Sequence, residues 1–221
     1  MNAGRDTALR EGAQTLGLSL SDKQAAGLLA YGDLILKWNK VYNLTALRDP
    51  ALVLTHHLLD SLSIIGPLQR QCPGAGRLLD VGSGAGLPGA VIAIMRPDLS
   101  VSCVDAVAKK AAFLRQVSAE LGLPNLNGMH ARVETIGGNY DVISSRAFAS
   151  LADFFAGSRQ LLAPGGVWMA MKGKTPTEEL AQLPPGVEVF HVEQLSVPGL
   201  DAERCVVWAR KAVAPDAKTA A

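Results

Sequence analysis

The sequence has few cysteines, almost no net charge and no long apolar run, and each absence excludes a class of protein. Its three cysteines, Cys72, Cys103 and Cys205, are far apart and form no CxxC pair, so we expect neither a disulfide framework nor a zinc site. With 21 Lys and Arg against 20 Asp and Glu, the net charge is only +1, so no overall field draws the chain to nucleic acid. Any RNA binding must therefore use a local basic patch.

The sequence also lacks the signals of membrane insertion and secretion. No stretch approaches the roughly 20 apolar residues that span a bilayer, and the first residues, MNAGRDTALREG, are polar. Together with unpaired cysteines, this predicts a cytoplasmic protein that does not associate with membranes. The 221 residues, of which 48% are hydrophobic, suffice for one domain with a substantial core and a modest extension.

The pattern of apolar residues changes along the chain. Between 5 and 62, apolar residues recur at three- and four-residue intervals after Ser21, a candidate N-cap, which predicts helices. From Arg77 onward, short apolar runs (LLDV, VSCVD, LNGMHA, DVISS and GVWMAMK) alternate with helical segments, which indicates a parallel sheet of βαβ units. Two final runs, VEVFHVEQLSV and RCVVWARK, have no helix between them and are typical of an antiparallel hairpin at a sheet edge.

These patterns predict an α/β fold with a Rossmann-like, mostly parallel sheet. We expect a helical extension over 1–70, the Rossmann-like domain over 71–212 and a disordered tail over 213–221. The extension and the domain should pack as one unit.

A glycine-rich loop follows the first predicted strand. The segment LLDVGSGAGLPG, residues 78–89, ends with glycines at 82, 84, 86 and 89, just before the helical run AVIAIM. Glycines there allow a sharp turn and a close approach of the backbone to a ligand. From Gly84 onward the loop also matches GxGxxG, so the glycines alone do not separate a dinucleotide site from a methyl-donor site.

Two acids bear on that choice. A carboxylate at the strand end, Asp80, opposes a pyrophosphate but suits a ligand with an amino group and a sulfonium, so it favours S-adenosylmethionine. Asp105 closes the next strand, where an acid accepts hydrogen bonds from ribose hydroxyls in NAD enzymes as well. Each feature has a structural alternative: the glycines serve packing only, Asp105 caps the following helix, and Asp80 caps the loop.

Several segments, in order along the chain, resemble one family. They are WNKVYNLTALRDP (38–50), HHLLDSL (56–62), LLDVGSGAGLPG (78–89), KKAAFLRQVSAELGL (109–123), ARVE (131–134), VISSRAF (142–148) and GGVWMAMKGK (165–174). Over roughly 20–175 the chain resembles the RsmG (GidB) family of bacterial class I S-adenosylmethionine-dependent methyltransferases, which methylate guanine N7 in 16S ribosomal RNA. The glycine loop suits any class I methyltransferase, whereas NLTALRD, HHLLDSL and SRAF are peculiar to this family.

The resemblance implies a set of donor contacts. Together with the loop and acids above, the expected cofactor-binding residues are Asp80, Gly82, Gly84, Gly86, Leu87, Asp105, Val133, Glu134 and Arg146. The chain departs from many relatives at VDAVAKK, where Ala106, Val107 and Ala108 stand in place of a serine. This departure puts the hydroxyl contact on the ribose side in doubt, whereas Asp105 remains.

The implied chemistry needs little acid or base catalysis, because guanine N7 has a free lone pair and carries no proton. Positioning should dominate, and no catalytic His or Cys is required. Arg146, at the end of a central strand, is the expected catalytic residue, since its donors can hold the donor carboxylate, a phosphate or guanine O6; a surface ion pair is its alternative. Lys172 and Lys174 end the next strand and are expected to contact RNA phosphates, although simple solvation explains them as well.

His56 and His57 precede an apolar helical run, where one could bond a helix cap, and we expect no metal site. The expected partner is small-subunit ribosomal RNA or the 30S particle, bound by a monomer. Three alternatives remain open at this point: a class I methyltransferase with another substrate, an NAD-binding Rossmann protein, and a non-catalytic RNA-binding module.

Overall fold

The computed structural model describes residues 2–212, so the predicted tail over 213–221 lies outside the described residues. The chain begins with two helices, α1 (Asn2–Thr15) and α2 (Asp22–Tyr42). Ser21 is the N-cap of α2, as predicted, and forms a capping box with Gln24 that satisfies free N–H groups at the start of the helix. Helix α2 ends at Tyr42, and its C-cap Asn43 has a left-handed φ of 49° that ends the helix.

A continuous helical segment follows. It consists of α3 (Pro50–Val53), a π-helical turn (Leu54–Leu59), α4 (Asp60–Leu62) and, after a short turn, α5 (Ile65–Gln71). Contrary to the sequence expectation, Pro50–Gln71 is long and apolar enough to cross a membrane by length and composition. However, 72% of its most apolar 18-residue window is buried inside the fold, as in a core helix.

A seven-stranded sheet forms the centre of the molecule, in the order β3-β2-β1-β4-β5-β7-β6. The strands are β1 (Arg77–Val81), β2 (Ser100–Asp105), β3 (Leu126–His130), β4 (Tyr140–Ser145), β5 (Leu162–Lys172), β6 (Val187–Leu195) and β7 (Arg204–Lys211). The first five strands pair in parallel, and β7 pairs antiparallel with both β5 and β6. The predicted strands and the antiparallel hairpin are therefore confirmed, with β6 at the edge.

Helices connect the strands and cover the sheet. They are α6 (Gly89–Met95), α7 (Ala108–Glu120), α8 (Leu151–Ser158) and α9 (Thr177–Ala181), with 3₁₀ turns at Val133–Thr135 and Arg159–Leu161. One buried cluster joins α1 and α2 to α6 and α7 on one face of the sheet, so the helical extension and the sheet share a core. A second cluster, centred on Phe154, Phe155 and Trp168, fills the other face.

The strand order reverses between β1 and β4, because the chain proceeds from β1 to β2 and β3 on one side and from β4 to β5 on the other. This reversal leaves a crevice between β1 and β4. In open parallel sheets, ligands bind beyond the carboxyl ends of the strands at such a switch point. The loops after β1, β2, β3 and β4 meet there, and these loops contain most of the predicted site residues.

Candidate active site at the carboxyl ends of the strands

Most backbone N–H groups of the loop between β1 and α6 already have acceptors within the protein. The N–H groups of Gly82 and Ser83 donate to Val104 O at 2.9 and 3.2 Å, and those of Gly86 and Leu87 donate to Ser83 O at 2.7 and 3.1 Å. A pyrophosphate needs free N–H groups at such a loop. The loop therefore suits a ligand that does not require a cradle of backbone donors.

Asp105 holds the middle of this loop. Its Oδ2 accepts the Gly84 N–H at 3.0 Å, its Oδ1 accepts the Val107 N–H at 2.8 Å, and Lys110 Nζ lies 3.5 Å from Oδ2. The alternative of a side-chain cap on α7 is wrong, because Val107 is the N-cap of that helix and has no side-chain cap bond. Asp105 instead connects the loop to the end of β2 and lines the adjacent cavity.

Asp80 lies beneath the loop. Its carboxylate is fully buried, accepting the Gly89 N–H at 3.0 Å and the Ser144 hydroxyl at 2.8 Å. Burial raises the pKa of Asp80 to about 6, although both hydrogen bonds lower it. Asp80 is absent from the lining of the cavities described below, and its two hydrogen bonds match the alternative of a structural role in the loop. Its direct contact with the donor stays a prediction.

The loop glycines divide into two groups. Gly82 and Gly84 have φ values of 63° and 60°, and a Cβ atom at either would meet nothing closer than 3.9 Å. A Cβ at Gly86 would collide with Leu114, and one at Gly89 would collide with Cys103. Gly82 and Gly84 therefore present open backbone to a ligand, whereas Gly86 and Gly89 allow close packing.

Two small cavities adjoin this open backbone. The first, which we call the strand-end cavity, has a volume of about 220 Å³ and is lined by Val81, Gly82, Val104, Asp105, Ala106, Ala131, Arg132, Val133, Glu134 and Phe148. The second, the loop cavity, has about 250 Å³ and is lined by Leu44, Thr45, His57, Gly82, Ser83, Gly84, Ala85, Leu87, Lys110, Arg146 and Ala147. Except for Asp80 and Gly86, every predicted donor residue lines one of the two.

A third cavity of about 400 Å³, the arginine cavity, lies next to the loop cavity. Its lining consists of Leu47, His56, His57, Asp60, Arg146, Ala147, Met171, Lys172, Gly173 and Arg204. His57, Arg146 and Ala147 line both cavities, so a ligand in one lies against the same side chains as a ligand in the other. The volume falls within the range of ordinary ligand pockets.

Asp60 ties two arginines to the wall of this cavity. Its Oδ2 accepts from Arg146 Nη1 at 3.0 Å and its Oδ1 from Arg204 Nε at 2.7 Å, while Arg146 Nη1 also donates to His56 O at 3.1 Å. The Asp60 carboxylate is 2% exposed, so Arg146 makes more than a surface ion pair. The sequence gives no local signal for Arg204, which opens an edge-hairpin strand 144 residues from its partner.

The family-specific motifs NLTALRD and HHLLDSL meet beside the loop cavity and the arginine cavity. Asn39 Nδ2 donates to Leu47 O at 2.8 Å and its Oδ1 accepts the Thr45 N–H at 3.0 Å, which fixes the loop after α2. Thr45 Oγ1 lies 2.8 Å from His57 Nε2. Sequence reasoning missed Asn39 and Thr45, although both lie inside a motif that it singled out.

His57 is neutral in this environment. Burial and the nearby positive charge of Arg146 lower its pKa to about 4. It bonds the loop through Thr45 rather than a helix cap. Within 2–212, no group of three or more His, Cys, Asp or Glu side chains is placed to bind a metal ion.

The two predicted RNA-binding lysines lie in different surroundings. Lys172 lines the arginine cavity but donates to both carboxylate oxygens of Glu179, at 3.0 and 2.9 Å. Lys174 is exposed and lines a separate depression with Glu178 and Glu179. The structure therefore does not bring the two ammonium groups into one cavity, because β5 ends at Lys172 and the chain bends at Gly173 and Lys174.

Comparison with known proteins decides the family. The family model described as rRNA small subunit methyltransferase G matches residues 24–207. The chain belongs to this family. A protein of the same name from Polaromonas sp. is 64% identical over 212 residues, covering 94% of each chain, and one from Acidovorax sp. is 62% identical over 219 residues, covering 95% of this chain and 96% of the relative.

Solved structures confirm the fold. A SAM-dependent methyltransferase from Aquifex aeolicus aligns with a TM-score of 0.55 at 18% identity, covering 76% of this chain and 96% of the other. TrmN from Thermus thermophilus aligns with a TM-score of 0.55 at 19% identity, covering 72% and 53%. The class I methyltransferase fold is thus confirmed, as are the expected class of enzyme, a methyltransferase of small-subunit ribosomal RNA, and the expected donor, S-adenosylmethionine.

The residues present fit that donor. The open backbone at Gly82 and Gly84 leaves room that a Cβ atom would reduce, and the neighbouring cavities contain the carboxylates of Asp105 and Glu134. Carboxylates suit hydroxyl and amino groups, whereas they oppose a pyrophosphate. The loop and the strand-end cavity therefore fit a nucleoside with a cationic side chain.

Proposed function

We propose that this chain transfers a methyl group from S-adenosylmethionine to N7 of a guanine in small-subunit ribosomal RNA. The observation that carries the proposal is the shared wall of Arg146, His57 and Ala147 between the loop cavity and the arginine cavity. Two adjacent cavities with a common wall suit two ligands that must meet at one point. When bound, S-adenosylmethionine supplies an electrophilic methyl group on its sulfonium.

The donor side consists of residues with distinct roles. Gly82, Gly84 and Leu87 of the loop, with Asp105, Val133 and Glu134 of the strand-end cavity, contact the donor. Asp80 and Gly86 act indirectly, because the first accepts the Gly89 N–H at the end of the loop and the second allows the loop to pack on Leu114. Since Ala106, Val107 and Ala108 have no hydroxyl, Asp105 and Glu134 are the acceptors for the ribose.

Arg146 positions the acceptor base. Among the described residues its hydrogen bonds run through Nη1 alone, to His56 O and Asp60, which leaves Nη2 and Nε to donate to guanine O6. N7 is the nucleophile and must stay free, so the arginine bonds O6 instead. This bond holds the base in position. Asp60 holds Arg146 and Arg204 in place, and its negative charge offsets part of theirs as the base becomes cationic.

No proton has to be removed from guanine N7 in this reaction. His57, which lines both cavities, is neutral near pH 7 because its pKa is lowered to about 4, and it is held by Thr45. It therefore acts as a wall and not as a general base.

The RNA approaches from the rim formed by the end of β5. Lys174 is exposed there and contacts a phosphate, and Lys172 joins it if its bond to Glu179 opens. The substrate is small-subunit RNA or the 30S particle, and the enzyme acts as a monomer in the cytoplasm.

An NAD-binding role fits the site less well, although the loop matches GxGxxG. The N–H groups that would bind a pyrophosphate already donate to Val104, Ser83 and Asp105. Calorimetry with S-adenosylhomocysteine and with NAD tests this alternative directly, since binding of NAD alone would contradict the proposal.

The proposed reaction is tested by mapping N7-methylguanosine. Small-subunit particles from cells without this protein are incubated with the purified enzyme and S-adenosylmethionine, and the RNA is cleaved chemically at N7-methylguanosine. We expect one new cleavage site that is absent without enzyme. Methyl transfer without cleavage would show a different acceptor atom, and no transfer to either particles or free RNA would contradict the proposal.

A further inference from the structure

Exposed cations gather around the end of α2. Lys40 lies in its last turn, Arg48 in the loop that follows, and Lys109 in the first turn of α7. Within residues 2–212 none of the three forms an ion pair, whereas Lys172 at the predicted RNA rim is bound by Glu179. Unpaired cations on one surface offer binding energy to a polyanion without first breaking a protein ion pair.

Two of these cations, Lys40 and Arg48, lie beside a residue that positions the wall of the loop cavity. Lys40 and Arg48 line a cavity of about 380 Å³ together with Asn39, the residue that fixes Thr45 beside the loop cavity. Arg48 Nη2 also donates to Asn43 Oδ1 at 3.0 Å, which directs it back toward the helix end. The surface therefore borders the site where the methyl group is transferred.

The same surface exposes apolar side chains. Val41 is 72% exposed, Tyr42 41% and Leu52 42%, and with Val107 they are the large hydrophobic side chains found exposed in the described residues. The ring of Tyr42 lies 5.0 Å from that of Trp38, which in turn lies 5.3 Å from Phe113 on α7, one turn from Lys109. These contacts support the exposed ring of Tyr42 and connect the end of α2 to α7, the helix that carries Lys109.

The acids near these cations along the chain already have partners. Asp49 follows Arg48, and its Oδ1 accepts the Ala51 N–H at 2.7 Å as the cap of α3. Asp105, four residues before Lys109, lies 3.5 Å from Lys110 Nζ. Cations mixed with an exposed aromatic ring are the combination that binds unpaired RNA, through phosphate contacts and base stacking. A membrane surface would require a wider apolar face than these few side chains provide.

We propose that Lys40, Tyr42, Arg48 and Lys109 form a second RNA-binding surface, the α2-end surface, which holds nucleotides flanking the target guanine. The cations contact phosphates and Tyr42 stacks on a base. The inference rests on the proposed function for the identity of the polyanion. It makes the α2-end surface, and not only the β5 rim, a source of affinity for RNA.

The test compares two triple variants of the full chain. One is Lys40→Ala, Arg48→Ala and Lys109→Ala. The matched control, Lys23→Ala, Arg77→Ala and Arg159→Ala, removes the same charge from exposed cations that also form no ion pair within 2–212, at the amino end of α2, the amino end of β1 and the 3₁₀ turn after α8. Affinity is measured for small-subunit particles and for deproteinised 16S RNA over a series of salt concentrations, and calorimetry with S-adenosylhomocysteine checks the donor site.

We expect the surface variant to lose about two to three from the slope of log affinity against log salt, on particles and on free RNA. Tyr42→Ala should weaken RNA binding about tenfold, whereas Tyr42→Phe should not. The control variant should bind as the wild type does, and all variants should retain their affinity for S-adenosylhomocysteine. A surface variant with the wild-type slope would overturn the proposal.

Two further outcomes separate the partner and the reaction. A loss on particles with none on free RNA would show that the surface contacts a ribosomal protein, which also overturns the proposal. If wild type makes no N7-methylguanosine but the surface variant still loses RNA affinity, the proposed reaction fails while the α2-end surface stands.

Discussion

The glycine loop and the α2-end surface border the same site, yet their polar groups are used in opposite ways. In the loop, Gly82, Ser83 and Gly84 donate to protein acceptors, and Asp80 is fully buried. At the α2 end, Lys40 and Arg48 are exposed and make no ion pair within 2–212. A loop that is already satisfied needs little ordering to receive a small ligand, whereas free cations gain when a polyanion replaces their counterions.

The largest expected effect comes from a substitution in the glycine loop. Gly84→Val forces a β-branched residue to a φ of 60° and fills open space beside the loop cavity, so S-adenosylhomocysteine should bind about a hundredfold more weakly or not at all. Calorimetry on the folded variant measures this loss.

Gly122→Val is the matched control for that loss. Gly122 has a φ of 59° and open space around its Cβ position, but it lies at the far end of α7. The control should lose stability to the same backbone strain and retain donor affinity. Micromolar donor affinity in folded Gly84→Val would show that the loop does not approach the ligand there.

The second prediction concerns Arg146, which faces both cavities. Arg146→Lys keeps the charge but loses the planar guanidinium, whose Nη1 reaches both His56 O and Asp60 while Nη2 and Nε remain for the base. We expect a loss of about 1 to 3 kcal/mol in transition-state stabilisation, constant between mildly acidic and mildly basic pH because no proton is removed. Single-turnover methylation of small-subunit particles measures it.

Arg210→Lys serves as the control for Arg146→Lys, because Arg210 is also paired with a carboxylate, that of Glu188, but on an exposed part of the edge hairpin. Its turnover should equal that of wild type. Wild-type turnover in Arg146→Lys would remove this arginine from the mechanism, and a defect that depends strongly on pH would show that a proton transfer limits the rate.

A third prediction uses the buried carboxylate under the loop. Since burial raises the pKa of Asp80 from 3.8 to about 6, its contribution to stability is fully present below pH 4 and is lost as the pH rises through 6. His57 has the opposite effect, because its lowered pKa of about 4 gives stability that is present above pH 6.5 and lost as the pH falls through 4. The two groups should largely offset one another in the wild type.

Asp80→Asn removes the titration of Asp80, so the pH dependence of stability that is due to His57 is no longer offset. The amide oxygen can still accept the Gly89 N–H, and the amide nitrogen can donate to Ser144. Urea unfolding between pH 4 and 7 should then show stability rising with pH, by on the order of 2 kcal/mol more than in wild type. The same pH profile in both proteins would mean that Asp80 titrates normally despite its burial.

The comparison also separates what the sequence predicts from what it does not. The strands, the N-cap at Ser21 and the glycine loop depend on neighbours within a few residues, so local patterns predict them. The division between Gly84, which is open, and Gly86, which packs on Leu114, depends on a helix that local spacing does not place.

Charge pairing is harder still to predict, because it depends on distant parts of the chain. Arg204 reaches Asp60 across 144 residues, and a short helix brings Glu179 to Lys172. A basic residue at a strand end is therefore recognisable in sequence, but whether it is free to bind RNA is decided by tertiary structure.

The smallest expected effect sharpens that last point at the β5 rim. Lys174 is exposed, so Lys174→Ala should reduce the salt slope of RNA binding by about one. Lys172→Ala should change it by less, because the ammonium group must leave two bonds to Glu179, at 3.0 and 2.9 Å, before it can contact a phosphate. Glu179→Gln supplies the complementary measurement, since releasing Lys172 should increase the slope and strengthen binding at low salt. Equal slopes for the two lysine variants, with no effect of Glu179→Gln, would show that the ion pair opens freely and does not decide which of the two lysines binds RNA.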